Sequence, residues 1–365
     1  MNNEIKFSII GCGRISKNHI SPINEIEGAK LVALCDLREE RVGPLAIQTG
    51  VPKYTNYHKM LDEIDTDVVC ILTPSGMHPL HAIDVIKTYK KHIVVEKPMA
   101  LRLADLEEMQ KVAEQNEVKI FPVYQNRYNK AVRKVREDII SGVFGKLVLG
   151  TIRLRWCRPQ AYYDRDKWRG TWAMDGGALT NQGIHYIDLL QFLMGDVKSV
   201  NAKMATQLVD VEVEDTFIAT AAFENNALGL IEVATAARPD DFEASISILG
   251  ENGTAVLGGL ACNSLDCYTF SPEIADTYSV NIPDAYGFGH WDFFKDLISD
   301  IRGLKSHPIS FEEGSRAITL LNSLYASAEM NKEVYLRDKT RSKNLGQKDE
   351  KIESEYTYCE SKYCN

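Results

Sequence analysis

Two stretches of this 365-residue chain hold most of its reactive side chains. In the first, Lys97 follows the apolar run Ile93–Val94–Val95 and Glu96, and precedes Pro98. β-Branched residues suit a packed pleat and proline ends a ladder, so Lys97 is expected at the end of a buried strand. In an α/β region ligands bind at such an end; the same lysine also reads as a solvated loop residue. The second stretch runs Trp168–Arg169–Gly170–Thr171–Trp172, then Asp175–Gly176–Gly177, then Asn181–Gln182–Gly183–Ile184–His185, with Asp188 beyond. Asn181 and His185 are spaced to share a helix face, and Asp188, one turn on, is placed to hold the imidazole. Singly, these read as a helix cap, a core histidine and a solvated charge. Arg169, between tryptophan and glycine, is the best candidate for gripping a carboxylate or phosphate. Arg153, Arg155, Arg158, Arg165, Lys167 and Arg169 outnumber Asp164 and Asp166 in this region, which suits an anionic substrate. Arg153 and Arg155 nevertheless alternate with Leu154 and Trp156, as on a solvated strand face.

A third element offers a place for a cofactor. Residues 5–10 read as a strand, Gly11–Cys12–Gly13–Arg14–Ile15–Ser16 as a turn into a helix, and residues 30–35 as a second strand ending at Asp36. Gly11 permits the tight turn, and Gly13 lets the backbone approach a pyrophosphate resting on the helix N-terminus. Asp36 lies 20 residues beyond Ser16, near the spacing of an acid that binds ribose hydroxyls. A carboxylate there repels a 2′-phosphate, favouring NAD over NADP, and Arg38 softens that preference. Ser16 replaces the third glycine of the fingerprint and is small enough for helix–strand packing.

These groups need a scaffold. Helices are expected over 39–48, 56–64, 77–89 and 103–116, and strands over 67–72, 92–96 and 119–123. Such alternation predicts a parallel sheet whose C-terminal strand ends share one edge, gathering Thr73, Lys97 and the glycine loop. His78 and His81 have a spacing a metal could use, but no third ligand is evident, so no metal site is expected. His78 reads as a loop residue near the cofactor and His81 as a helix residue. After residue 123 come helices over 129–141 and 181–194, and strands over 146–156 and near 198–209, 214–223, 227–235, 243–249 and 254–258. Two helical parts, 290–302 and 312–330, close the chain. Consecutive strands predict a largely antiparallel sheet. The division is therefore 1–123, 124–337, and a polar tail, 338–365, expected to be disordered.

Bulk properties narrow the function. A net charge of −9 gives no reason to expect nucleic-acid binding. No apolar run could span a bilayer and the N-terminus has no signal-peptide layout, so a cytoplasmic protein without a membrane partner is expected. No Cys-x-x-Cys pair occurs; Cys35 and Cys70 read as small hydrophobes, and Cys359 and Cys364 as incidental tail residues.

Together, Gly11-x-Gly13-Arg14, Glu96–Lys97–Pro98 and the Gly176–Asp188 stretch resemble the glucose–fructose oxidoreductase and inositol dehydrogenase (Gfo/Idh/MocA) family over residues 5 to about 337. The resemblance implies an α/β fold: a Rossmann dinucleotide-binding domain, then an α+β domain with an open, largely antiparallel sheet. It implies NAD as cofactor, contacted by Gly11, Gly13, Arg14, Ile15, Asp36 and Arg38. Thr73, Pro74, Ser75, His78, Glu96, Lys97, Gln125 and Asn126 complete that set. It implies Lys97, Asn181 and His185 as catalytic residues, and a substrate site of Lys97, Arg169, Trp172, Asn181, Gln182, His185 and His290. Trp168–Arg169–Gly170–Thr171–Trp172, Asn181–Gln182–Gly183–Ile184–His185 and Tyr286–Gly287–Phe288–Gly289–His290 look most like members that oxidise the 3-hydroxyl of UDP-N-acetylglucosaminuronate for surface-polysaccharide sugars. Many members have aspartate where this chain has Asn181, which removes a charge that would raise the basicity of His185. His185 is then the preferred base, with Lys97 polarising the hydroxyl or sharing the proton. A homodimer or homotetramer joined through the open sheet is implied. A polyol dehydrogenase of the same family and a non-enzymatic NAD sensor are the competing readings.

Overall fold

The alternating strands and amphipathic helices of the first third of the chain close into one parallel sheet. The computed structural model describes residues 4–357. Strands β1 (Ile5–Ile10), β2 (Ala29–Cys35), β3 (Lys53–Tyr54), β4 (Val68–Ile71), β5 (His92–Val95) and β6 (Ile120–Pro122) lie in the order β3-β2-β1-β4-β5-β6. All pairings are parallel. The order reverses between β1 and β4, which opens a crevice at their C-terminal ends. The strands read as near-continuous apolar runs because helices cover both faces: Val68 to Ile71 and Ile93 to Val95 are wholly buried.

The second sheet is built from β7 (Leu147–Arg155), β8 (Val197–Ala205), β9 (Thr216–Phe223), β10 (Leu228–Ala234), β11 (Glu243–Gly250), β12 (Thr254–Gly258), β13 (Ser264–Tyr268) and β14 (Val334–Tyr335). Its order is β13-β12-β11-β7-β10-β9-β8-β14, antiparallel except for β7 beside β10. One face packs on the helices Ile184–Met194 and Phe311–Met330; the other leaves Ile218, Leu228 and Leu230 exposed.

Two differences from the sequence reading matter for function. The expected helix 181–194 is two helices, Ala178–Asn181 and Ile184–Met194. At the break the Gly183 amide reaches back five residues to the Ala178 carbonyl, a wide turn that interrupts the regular ladder. The tail is also ordered as far as residue 357. Leu345 and Tyr356 are buried, the short helix Glu350–Ser354 is capped by Asp349, and Glu329 accepts hydrogen bonds from Ser342, Lys343 and Asn344. Its anchors are isolated apolar residues without period, so composition alone read as disorder. Residues 358–365, with Cys359 and Cys364, lie outside the described residues.

The two sheets share helices. The helix Gly289–Ile301 returns to pack on the first half, with Phe294 edge-on to Phe7 at 5.6 Å. Cys12, Cys35, Cys70 and Cys262 are buried free thiols.

Candidate active site

The crevice at the β1/β4 switch is a cleft of about 630 Å³. Gly11, with φ +101, forms its floor; a Cβ there would meet the Leu72 carbonyl carbon at 2.6 Å. A Cβ on Gly13 would meet nothing within 4 Å, so the backbone stands open to a ligand. Ser16 donates to the Gly13 carbonyl at 2.7 Å and pins the turn. Asp36 accepts from the amides of Cys12 (2.7 Å) and Arg38 (2.9 Å), which fixes its carboxylate at the end of β2. An open glycine loop at a helix N-terminus beside an oriented carboxylate fits a dinucleotide.

Arg14, Ile15, Arg38, Thr73, Pro74, Ser75, His78, Glu96, Lys97 and Gln125 also line this cleft. Asn126 does not; it is buried, and its side-chain oxygen has no partner among the described residues. Both His78 nitrogens lie 2.8 Å from carbonyl oxygens, of Pro98 and Thr73, and burial pushes its pKa down. A neutral ring can donate to only one of them.

Lys97 stands where β5 ends. Its Nζ donates to the backbone carbonyl of Asn181 at 3.0 Å. The break before Gly183 makes that carbonyl available, since no turn of a continuous helix occupies it. Burial lowers the Lys97 pKa, while Glu96 and Asp175 hold it up. The Asn181 side chain does not face His185; its amide donates to Asp175. Asp175 also accepts from the Gly170 amide at 2.9 Å, and burial raises its pKa to about 6. Sequence reading quoted Asp175 but gave it no role, although it lies only six residues before Asn181 in the same polar stretch.

His185 approaches Gln125, Nε2 to Nε2 at 3.4 Å, and its Nδ1 has no partner among the described residues. Burial, and then the nearby Lys97 charge, hold its pKa well below the ordinary range. Asp188 does not hold this imidazole. It is bound at both oxygens by Arg127, at 2.8 and 2.6 Å, because a buried carboxylate is satisfied best by a guanidinium fork.

Arg169 lies in the cleft wall, between the rings of Trp168 (4.5 Å) and Tyr162 (4.7 Å). It donates to the Tyr162 hydroxyl at 2.6 Å, which Gln182 also reaches at 3.2 Å. Three more of the basic stretch are paired locally: Arg155 with Glu232 and Glu243, Arg158 with Asp241, and Lys167 with Glu355. Asp166 draws Arg38, Arg41 and Arg169 together at 3.8, 2.7 and 3.5 Å. Next to Ser75 of the cleft wall, the Gly76 amide donates to the Met174 carbonyl at 2.9 Å. A Cβ on Gly76 would sit 2.4 Å from the Ala173 oxygen, so this loop-to-loop contact needs glycine.

Four expected substrate residues lie outside the cleft lining: Gln182, which meets it through the Tyr162 hydroxyl, His185, Trp172 and His290. Trp172 packs edge-on to Tyr325 at 5.4 Å and is outside the cleft lining. His290 is fully buried behind it, because Gly289 abuts the Gln125 carbonyl too closely for any Cβ. The same loop instead brings Tyr286 to the cleft. His290 joins His19 and Glu96, whose ligand-type atoms all lie within 4.8 Å of one another. His19 Nε2 is 2.8 Å from Glu96. Burial opposes the Glu96 charge, but His19 and His290 outweigh it and hold the carboxyl well below the usual range. The other Glu96 oxygen accepts the Lys97 amide at 3.0 Å, so this buried cluster braces the lysine from behind. Sequence reading considered only His78 and His81 as a paired-histidine site; His19 carried no signal apart from its place in the first helix. Arg41, on the helix Glu39–Thr49, was also missed, as were Tyr162, Asp166, Glu355 and Tyr356, which come from short segments and a tail that no periodic pattern marks.

Comparison with known proteins agrees with this geometry. Residues 5–124 match the oxidoreductase family model with an NAD-binding Rossmann fold, and residues 132–256 match the GFO/IDH/MocA C-terminal domain. The WlbA dehydrogenase from Bordetella pertussis, solved in complex with NADH and UDP-GlcNAcA, is 37% identical with a TM-score of 0.86. That match covers 91% of this chain and 98% of the other. The WlbA protein from Chromobacterium violaceum, in complex with the same ligands, is 34% identical, with a TM-score of 0.84 over 91% of this chain and 96% of its own. A myo-inositol 2-dehydrogenase from Thermotoga maritima is 25% identical over 92% of this chain and 99% of its own.

Proposed function

The chain belongs to the GFO/IDH/MocA family of NAD-dependent oxidoreductases, and we propose that it oxidises the 3-hydroxyl of a UDP-linked N-acetylglucosaminuronate. We place that step in the making of surface-polysaccharide sugars. The observation that carries the reading is the convergence of Lys97, Asn181 and Arg169 in one cleft beside the glycine loop, with Asp175 buried behind Asn181. Identity of 37% to a protein that binds UDP-GlcNAcA supports the choice of sugar.

Bound NAD⁺ supplies the hydride acceptor. Gly11, Gly13 and Asp36 hold the dinucleotide, with Thr73, Pro74 and Ser75 along its path. Lys97 Nζ, oriented by the Asn181 carbonyl, meets the reacting hydroxyl. Asp175 fixes the Asn181 amide and thereby the carbonyl behind it. Lys97 in its neutral form accepts the hydroxyl proton as the hydride leaves for NAD⁺, and the Lys97–His185 pair then holds that one proton, since each charge disfavours the other. Lys97 is the group that meets the hydroxyl, because His185 is desolvated and is not part of the cleft lining. Arg169 keeps free N–H groups for the uronate carboxylate. The exposed Ile218, Leu228 and Leu230 favour a homo-oligomer formed through the second sheet.

The test is NADH formation on a panel of UDP-sugar acids, free hexuronic acids and myo-inositol. Turnover confined to the UDP-linked acid is the expected result. The inositol dehydrogenase resemblance supports a polyol reading, which wins if myo-inositol is preferred and UDP does not compete. No turnover on any alcohol sinks both.

A further inference from the structure

The ordered tail enters the cleft, and nothing in the proposed reaction uses it. Residues after the helix Phe311–Met330 cross the first half of the molecule, where Arg341 pairs with Glu107 at 3.0 Å. They then pass the second loop, where the Gly346 amide donates to the Trp172 carbonyl at 2.8 Å and Leu345 is buried. They end against the cleft, where Glu355 and Tyr356 are part of its wall. Glu355 is tethered to Lys167 at 2.8 Å. The Tyr356 ring is buried in a small apolar cluster with Met77, Ala173 and Met174.

We propose that this C-terminal strap supplies Tyr356 as a cofactor-binding residue, closing the adenosine end of the dinucleotide cleft. The end is identified by its neighbours. Tyr356 lies within electrostatic reach of Arg38 and Asp166. Arg38 follows Asp36, the acid at the end of β2, and Asp166 grips both Arg38 and Arg41. The side chain is 7% exposed and its hydroxyl makes no hydrogen bond as a donor among the described residues. The Trp168 amide serves the hydroxyl oxygen, but the hydroxyl proton is left without an acceptor, and burying an unspent donor is unfavourable. An adenosine moiety held by Asp36 brings ring nitrogens and ribose oxygens to this wall, and each can accept that proton. The strap thus adds a hydrogen bond and an apolar wall at the point where the dinucleotide would otherwise meet solvent. The inference rests on dinucleotide binding and is independent of the sugar.

The experiment compares NADH binding without any sugar in the wild-type chain, Tyr356→Phe, Tyr356→Ala and a chain ending at Ser354. NADH fluorescence gives the dissociation constant, and a stopped-flow chase gives the off-rate. Tyr356→Phe is expected to raise both by about fivefold to tenfold, the worth of one hydrogen bond. The alanine variant and the shortened chain should exceed that. The unfolding midpoint of the phenylalanine variant without NADH should shift little, since removing an unspent donor offsets the loss of the acceptor for the Trp168 amide, and the rise that NADH produces should shrink. Values within about twofold of wild type in both the phenylalanine variant and the shortened chain would overturn the proposal. Weakening by alanine but not by phenylalanine overturns the hydrogen bond. A wild-type chain that binds no NADH overturns the dinucleotide reading and this one with it.

Discussion

Asp175→Asn is the sharpest test of how the cleft is built. Asp175 is 1% exposed, and burial lifts its pKa from 3.8 to about 6. The difference corresponds to about 3 kcal/mol between the two protonation states. Below pH 3.8 the carboxyl is neutral in the folded and unfolded chain alike, and no penalty arises. Between 3.8 and about 6 the unfolded chain ionises first, so the folded chain binds more protons and stability falls as pH rises. Above about 6 the full penalty applies. An asparagine never ionises and escapes it, although its amide group faces the Asn181 amide, which takes back about 1 kcal/mol. Urea unfolding followed by tryptophan fluorescence should therefore find the two proteins similar at acid pH. The variant should be more stable by about 2–3 kcal/mol near pH 8. Activity should move the other way. The Asp175 charge holds the Lys97 pKa up, so its loss lets the rising limb of the activity–pH profile slide to lower pH. Maximal turnover should fall because Asn181 is no longer fixed. Parallel pH–stability curves, separated by a constant offset, would refute the claim that a buried ionised acid sits here.

Two further perturbations probe other parts of the site. Lys97→Met and His185→Asn should each lower kcat by about 10²–10⁴-fold while NADH still binds, read by steady-state rates and fluorescence titration; near-normal rates in both would remove the proton-handling assignment. Arg127→Met leaves the Asp188 carboxyl buried without its fork, and should cost about 3–5 kcal/mol of stability in denaturant, with partial recovery in the Arg127→Met, Asp188→Asn double variant.

The first half of the fold was legible because its signals are local. Apolar runs of strand length, the glycines at 11 and 13 and the acid at 36 each describe their own backbone, and the parallel order follows from their alternation. Lys97 was legible for the same reason, as the end of β5. Partner choice was not legible. Spacing put Asp188 beside His185, but Arg127, 61 residues away in sequence, claims it. Spacing also aimed Asn181 at His185, yet the wide turn at Gly183 sends its carbonyl to Lys97 and its amide to Asp175. His290 carried a family-like loop motif, but the crowding at Gly289 turns it into the core. Glu355 and Tyr356 belong to a segment whose anchors are too sparse to make a pattern.

The segment from Tyr162 to Met174 ties several parts of the cleft together. Through Asp166 it touches Arg38 and Arg41, it places Arg169, the proposed uronate-binding residue, in the cleft wall, and at Met174 it is stitched to the Gly76 turn. Changes here will not be independent in their effects. A lineage or a designer seeking a different sugar would have to retune the dinucleotide grip in the same stroke, and the accessible routes to new specificity should pass through paired substitutions across the two loops rather than single ones.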